Sequence, residues 1–317
     1  LLTFQYVYVT FGRQKQYSFY TAFCLLILNK GAFMMNVTKN DIIAALSRVN
    51  IKSGDLVLFH SSLKSLGHVE GGAKSVIEAF LETVAPNGTV AVPTLVRNDF
   101  DNAYSTWYPD KPSDVGYITE IFRKMPIAFR SDQETHSVAA IGPLAEEITC
   151  EHKKYGERYG VFGTTPFSHS SPWQKMYDKN AAVLLLGVDM TKNTFKHLIE
   201  YILAEQAILA AEKRECKESV LSRLRSFETR LSDDTNLIWP GLKVECMEEL
   251  AESKGLIEKT TCGNAVLAKF YSHKFGSEVI KNICEEPSKW FSENTLAWFN
   301  DAFGGEIKVD KFYEYID

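Results

Sequence analysis

Residues 54–93 read GDLVLFHSSLKSLGHVEGGAKSVIEAFLETVAPNGTVAVP and combine two patterns of apolar residues. The runs 56–60 and 89–93 are short and mostly apolar, as in buried strands. Between them, apolar side chains recur at helical spacing over 76–84, which predicts an amphipathic helix. A strand, a helix and a second strand in this order predict an α/β fold.

The alternation of helices and strands continues on both sides of this stretch. Thr38 can cap a predicted helix that follows it and precedes the first strand. Buried strands are predicted at 138–141 and 182–188, and a long helix at about 194–209 follows the second of them. A weaker α/β stretch fills 239–317. Because no repeat or low-complexity linker separates these parts, we expect one integrated fold.

The composition is that of a globular, slightly acidic protein. The 317 residues include 35 Lys+Arg and 40 Asp+Glu, which gives a formal net charge of −5, and 45% are hydrophobic. Because no dense basic run occurs, we expect no nucleic-acid partner. The cysteines are scattered without a C-x-x-C pair, which predicts neither disulfides nor a zinc ribbon and favours a cytoplasmic location. No metal is expected, since no H-E-x-x-H occurs.

The N-terminal segment differs from the rest of the chain. Its apolar run at 19–28 is preceded by Arg13 and Lys15. This run is too short to span a bilayer, and no small-x-small cleavage site follows it. We expect residues 1–33 to be a leader outside the folded domain, the domain to occupy 34–317, and no membrane partner. The alternative is a membrane-tethering or secretory role.

Three loops lie just after predicted strands, where α/β proteins usually keep their sites. They contain His60 with the two serines after it, the segment 130–137 and the segment 193–200. In the third loop, His197 and Glu200 are three residues apart on a predicted helix, so both project from one face. A carboxylate beside an imidazole can orient the ring and stabilise the imidazolium. The alternative is a solvated pair without a catalytic task.

These motifs, taken in order, resemble the aminoglycoside 3-N-acetyltransferases. The resemblance covers roughly residues 38–205, and the Gly-Asn-Ala at 263–265 echoes a feature of the family near the C-terminus. Many ordered motifs are more specific than any one of them. The matching positions include Gly54, Asp55, His60, Ser61, Ser62, Leu63, Gly67, Gly71, Gly72, Pro86, Thr89, Gly116, Glu120, Arg123, Arg130, Ser131, Ser137, Gly142, Phe162, Gly163, Ser171, Pro172, Asn193, Thr194, His197 and Glu200.

The resemblance implies an α/β fold with a central mixed sheet flanked by helices. It implies an acetyl-CoA-dependent N-acetyltransferase that acts on the 3-amino group of a 2-deoxystreptamine aminoglycoside, an antibiotic-resistance activity. In the family pattern, His197 is the general base and Glu200 assists it. The implied contacts to coenzyme A are His60, Ser61, Ser62, Leu63, Arg130, Ser131, Ser137 and Val138.

The residues agree with this chemistry. A substrate ammonium must lose its proton before it can attack a thioester, so a base such as His197 is needed. Because Cys150 lies in no pattern of an activated nucleophile, direct transfer is favoured over a cysteine-acyl route. The donors to the oxyanion stay open among Ser62, Ser137, Thr194 and loop N–H groups.

The segment 95–115 carries expected contacts to the acceptor. Asp99 and Asp101 lie there with Trp107, and acidic and aromatic side chains suit a polycationic aminoglycoside. The alternative is an ordinary solvated acidic loop. His136 and Thr194 complete the expected acceptor side, although His136 could equally serve only to hydrogen-bond the backbone.

Two departures from the family pattern bear on the acceptor. Gln133 and Glu134 stand where many members have His-Pro, and the segment 95–115 is short. Both favour another amine somewhat, such as an amino sugar in polysaccharide or natural-product biosynthesis. A third possibility is a catalytically silent protein that binds coenzyme A or an amino sugar. The sequence does not define an oligomeric state.

Overall fold

The computed structural model describes residues 36–97, 100–305 and 307. The expected leader at 1–33 and the expected acceptor contact Asp99 lie outside these residues. The described residues belong to one unit. Among their helices, none is both long and apolar enough to cross a bilayer.

Within the described residues, a seven-stranded sheet forms the centre of the fold, and two short strands pair beside it. The strands are β1 (Asn36–Val37), β2 (Leu56–Ser61), β3 (His68–Val69), β4 (Thr89–Pro93), β5 (Phe129–Arg130), β6 (Val138–Ile141), β7 (Ala182–Leu186), β8 (Glu258–Cys262) and β9 (Ala265–Tyr271).

The order of strands in the large sheet is β5-β6-β4-β2-β7-β9-β8. The central strand β2 pairs in parallel with β4 on one side and with β7 on the other. The remaining neighbours are antiparallel. The mixed sheet implied by the family resemblance is therefore confirmed.

The helices cover both faces of this sheet. They are α1 (Lys39–Arg48), α2 (Leu63–Leu66), α3 (Gly72–Val84), α4 (Ala103–Thr106), α5 (Tyr117–Arg123), α6 (Ala145–Thr149), α7 (Pro172–Asp178), α8 (Phe195–Lys213), α9 (Lys217–Arg223), α10 (Val244–Ser253), α11 (Ser272–Glu285), α12 (Pro287–Trp290) and α13 (Glu293–Phe303).

The predicted elements match these bounds closely. Thr38 and Asp41 form a reciprocal capping box at the start of α1. The strand predicted at 182–188 ends at Leu186, because Gly187 takes a positive φ of 68° and turns the chain. A Cβ at Gly187 would lie 2.6 Å from Ser65 Cβ, so only glycine fits this turn.

Alternation along the strands divides the core between the two faces of the sheet. Val57 and Phe59 of β2 face α1, α3 and α5. Leu58 of β2 and Leu185 of β7 face the other way and belong to the core that contains Leu198 of α8. The long helix α8 thus packs over the middle of the sheet, with its N-terminus near the strand ends.

The parallel strands β2, β4 and β7 end at the same edge of the sheet. The loops that follow them, and the segment that leads into antiparallel β6, therefore meet at this edge. In open α/β sheets, ligands bind outside the carboxyl ends of the strands. The fold places the three loops singled out from the sequence at that position.

Candidate active site

A cleft of about 1520 Å³ opens at the carboxyl edge of the sheet. Its walls include the ends of β2 and β4, the segment before β6, the loop around Phe162, and the chain between β7 and α8. Pockets for one small molecule usually measure about 300–1,000 Å³. The cleft is therefore large enough for two substrates side by side.

The predicted pair His197 and Glu200 meets at the start of α8. His197 lines the cleft, and its Nδ1 lies 2.7 Å from Glu200 Oε2. The His197 side chain is 25% exposed, whereas the Glu200 side chain is only 2% exposed. The carboxylate therefore lies behind the ring, and the ring lies between it and the cleft.

Glu200 is held by two further donors from a distant part of the chain. The backbone N–H of Leu242 donates to Oε1 at 2.9 Å, and Trp239 Nε1 donates to Oε2 at 3.2 Å. Burial alone raises the pKa of the Glu200 carboxyl, but His197 and the donated hydrogen bonds hold it below its usual value. The carboxylate is therefore ionised at neutral pH.

This arrangement defines what the His197 ring can do. An ionised carboxylate only accepts hydrogen bonds, so Nδ1 of the neutral ring carries the proton and donates a hydrogen bond to Glu200. The lone pair then lies on Nε2, the nitrogen that Glu200 does not contact. A ring of this kind can accept a proton from a ligand in the cleft, and the buried carboxylate stabilises the imidazolium that forms.

Aromatic rings lie around the His197 ring. The ring centroids of Phe162 and Phe167 lie 4.8 and 6.1 Å from that of His197, and His136 meets it edge-on at 6.3 Å. Burial lowers the pKa of His136 well below its usual value, so this ring is neutral. His136 lines the cleft, as expected for the acceptor side.

The loop that carries Phe162 is fastened to α8. The Tyr201 hydroxyl accepts from the Phe162 backbone N–H at 2.8 Å and lies 3.0 Å from the Gly163 carbonyl oxygen. Further along α8, Glu205 accepts from Arg158 Nε at 2.8 Å. No local pattern in the sequence indicates these partners, apart from the Phe162-Gly163 motif itself.

The expected coenzyme contacts divide into two groups. His60, Ser61, Ser62 and Leu63 line the cleft. The second group lies outside the lining and consists of Arg130, Ser131, Ser137 and Val138. The first three of these side chains form hydrogen bonds to other groups of the protein.

The bonds of the second group explain its position. Arg130 donates to the Thr94 carbonyl oxygen at 3.0 Å and to Ser137 Oγ at 3.2 Å. Ser131 Oγ accepts from the Val138 backbone N–H at 2.9 Å, and it also lies 2.9 Å from His152 Nδ1. These side chains brace the segment before β6, and their polar groups are engaged within the protein.

The expected acceptor contacts also divide. Thr194 and His136 line the cleft. Asp101 forms an ion pair with Arg230, and Trp107 lies outside the lining. Arg130 Cζ lies 6.0 Å and Lys153 Nζ lies 5.8 Å from the centroid of the Trp107 ring.

Gln133 and Glu134, the departures from the family pattern, have structural contacts here. The buried Gln133 side chain accepts from the backbone N–H groups of Thr135 and His136, which shapes the turn before β6. Glu134 forms an ion pair of 2.7 Å with Lys153. Gln133 therefore positions His136 at the cleft.

Neither a cysteine nor a metal-ligand cluster marks the described part of the cleft. None of the described lining residues is a cysteine, and Cys150 lies on the surface. Across 36–97, 100–305 and 307, no group of three or more His, Cys, Asp and Glu side chains could hold a metal ion.

The family comparison agrees with this geometry. The sequence model of the family described as aminoglycoside 3-N-acetyltransferase matches residues 58–280. The prophage-derived aminoglycoside N(3')-acetyltransferase-like protein YokD of Bacillus subtilis (strain 168) is 31% identical over 194 residues, covering 54% of this chain and 68% of YokD. Aminoglycoside N(3)-acetyltransferase III of a Salmonella species is 32% identical over 182 residues, covering 52% of this chain. This chain spans 60% of that relative's length.

Solved structures share the fold. The apoenzyme of aminoglycoside acetyltransferase AAC(3)-IVa superposes with a TM-score of 0.58 at 19% identity, covering 86% of this chain and 98% of the other. The family match at 58–280 includes most of β2, the lining of the cleft and the His197–Glu200 pair, and this chain therefore belongs to the aminoglycoside 3-N-acetyltransferase family.

Proposed function

We propose that this protein is an acetyl-CoA-dependent N-acetyltransferase that acetylates the 3-amino group of a 2-deoxystreptamine aminoglycoside. The observation that carries the proposal is the bond of 2.7 Å between His197 Nδ1 and Glu200, which leaves Nε2 as a base at a large cleft. Family membership supports the reaction type. In a cell, such acetylation would act in the cytoplasm and confer antibiotic resistance.

The proposed reaction needs one proton to move from nitrogen to sulfur. After its ammonium has released a proton to water, the acceptor amine attacks the thioester carbonyl carbon, and His197 Nε2 takes the next proton as the C–N bond forms. The carbonyl π electrons move onto oxygen. When they return, the C–S bond breaks and the leaving thiolate takes the proton from His197.

Direct transfer agrees with the composition of the cleft wall. A cysteine-acyl intermediate would need a thiol beside a base. The described lining residues include no cysteine, whereas they do include the imidazole of His197. We therefore propose that both substrates are bound together when the acetyl group moves.

The residues of the cleft fit coenzyme A. Ser62 and Gly187 lie at the strand ends, and Lys64 and Lys192 supply positive charge that complements phosphate groups. Acetyl-CoA would supply the activated acetyl group as a thioester. One solved structure with this fold is a binary complex of AAC-IIIb with CoASH, with a TM-score of 0.59 at 17% identity.

The acceptor proposal comes from the relatives. A histidine-to-alanine mutant of AAC(3)-IVa has been solved in complex with apramycin and in complex with a gentamicin. In this chain, Asp114 and Asp189 contribute carboxylates to the lining, and carboxylates attract cationic amines.

A second candidate acceptor is an amino sugar with fewer positive charges. Besides the two lysines proposed for the phosphates of coenzyme A, Arg97 lines the cleft, and its backbone N–H donates to Asp114 at 2.7 Å. Asp101, expected to attract the acceptor, is instead paired with Arg230. These observations make a less cationic acceptor the second candidate beside the aminoglycosides.

Thiol release from acetyl-CoA tests the proposed function. The purified protein is given kanamycin, gentamicin, neomycin and simple amino sugars in parallel, with a reaction that lacks acceptor as the control. We expect thiol release with the antibiotics and an acetyl group on the 3-amino nitrogen of the product. Release only with simple amino sugars would replace the acceptor, and binding of acetyl-CoA without release would contradict the proposal.

His197→Ala should lower kcat by about 10²- to 10⁴-fold, because general-base catalysis contributes about that much. Acetyl-CoA binding, measured by calorimetry, should stay within a few-fold of wild type. His68→Ala is the matched control, since His68 is exposed and lies outside the lining. A kcat close to wild type in His197→Ala would contradict the general-base role.

Glu200→Gln should lower kcat by about 10³- to 10⁴-fold with little change in acetyl-CoA binding, as when a base histidine loses its orienting carboxylate. The amide can donate to Nδ1, which would move the ring proton to Nε2 and remove the lone pair that accepts the substrate proton. Glu147→Gln is the control, because Glu147 is exposed and pairs with Lys179. Unchanged kcat in Glu200→Gln would show that the carboxylate does not orient His197.

A further inference from the structure

His60 is a buried polar side chain that the fold does not explain. Its side chain is 6% exposed and lines the cleft. Its Nε2 is fully buried and has no hydrogen-bond partner among the described residues. Buried polar groups are nearly always paired, so an unpaired one points to a function or to a ligand.

The register of the sheet locates His60 relative to His197. His60 lies opposite Leu185 of β7 and two residues after Leu58, so it is on the same face of the sheet as both. Leu58, Leu185 and Leu198 of α8 belong to one core. His60 therefore occupies the last row of this face before the cleft, on the side of the sheet that α8 covers.

The neighbours of His60 show that an apolar residue would suit the position structurally. Leu58 and Leu185 fill the same face without polar groups, and neither needs a hydrogen bond. An unpaired imidazole is less favourable there than a leucine, because its polar atoms lose water without a replacement partner. A residue that costs stability at the wall of a binding cleft indicates a role in binding or catalysis.

The His60 ring is neutral and carries one proton. Burial lowers the pKa of His60 to about 4, so the ring does not become charged near neutral pH. Buried N–H groups without an acceptor are rarer than buried acceptors without a donor. The proton therefore belongs on Nδ1, the ring nitrogen that is not enclosed and that borders the cleft, and the fully buried Nε2 is unprotonated.

We propose that His60 is a catalytic residue whose Nδ1–H donates a hydrogen bond to the carbonyl oxygen of the bound thioester. This role rests on the proposed acetyl transfer. As the amine attacks, the carbonyl π electrons move onto that oxygen, and a fixed neutral donor stabilises the growing negative charge. His197 and His60 then have separate tasks: His197 moves the proton, and His60 holds the oxyanion.

Three variants test this role. His60→Leu removes the donor and replaces the imidazole with an apolar side chain of moderate size. His60→Asn keeps an N–H donor near the position of Nδ1, whereas His60→Gln places one near Nε2. For each, kcat and the KM for acetyl-CoA are measured by thiol release, and the thermal unfolding midpoint is measured separately.

We expect His60→Leu to lower kcat about 10²-fold, as when one oxyanion donor is removed, with the KM for acetyl-CoA unchanged within a few-fold. His60→Asn should recover most of that loss, and His60→Gln should not. The unfolding midpoint of His60→Leu should equal or exceed that of wild type, because an unpaired polar group has been removed.

His152→Leu is the control for the stability measurement. His152 is also fully buried, but its Nδ1 lies 2.9 Å from Ser131 Oγ and its Nε2 lies 3.0 Å from the Pro166 carbonyl oxygen. Removing this paired ring should lower the unfolding midpoint. The opposite signs at the two histidines would separate a functional ring from a structural one.

Several results would overturn the role of His60. They are a kcat within threefold of wild type in His60→Leu, a change confined to KM, recovery by His60→Gln instead of His60→Asn, or a lowered unfolding midpoint with no recovery by His60→Asn. A wild-type protein that binds acetyl-CoA without turnover would contradict the proposed function itself, and the role of His60 with it.

Discussion

A buried carboxylate holds this active site together. Taking an ion out of water costs several kcal/mol, and the cost is offset only where donors surround the ion. Glu200 meets this condition through His197, Trp239 and the Leu242 backbone N–H. The first bond fixes the orientation of the His197 ring, and the other two fasten the segment after α9 to the start of α8. One constraint therefore sets both the geometry of the His197 ring and the packing around it.

The sheet determines what the His197 ring can reach. Parallel β2, β4 and β7 end at one edge, and α8 begins above that edge, so this ring lies over the strand ends. The Phe162 ring packs edge-on against the His197 imidazole, and Tyr201 holds the Phe162 loop through two hydrogen bonds. A ligand that enters the cleft would thus meet an imidazole whose Nε2 is not bonded to Glu200 and which is set among aromatic rings. Together with family membership, this geometry supports acetyl transfer to an amine.

Local patterns were enough to predict much of this fold and part of its site. The apolar runs of β2 and β4 and the helical spacing of α3 predicted an α/β unit, and the i,i+3 spacing predicted that His197 and Glu200 share a helix face. Contacts between distant residues could not be predicted in this way. Trp239 and Leu242 bond to Glu200 from about 40 residues further along the chain. Arg230 forms an ion pair with Asp101, which lies far from it in the sequence. No sequence pattern around Arg130 indicates that its side chain bonds to Thr94 and Ser137 within the protein.

The most direct test of the account is the protonation state of the His197 ring in the free protein. Nitrogen-15 chemical shifts of labelled histidine, assigned by comparison with His197→Ala, report which ring nitrogen carries the proton. Because the buried Glu200 carboxylate can only accept, we expect the neutral form of the ring to be protonated on Nδ1 with a bare Nε2. A neutral ring protonated on Nε2 would contradict the account, since His197 could then not take a proton from the acceptor amine.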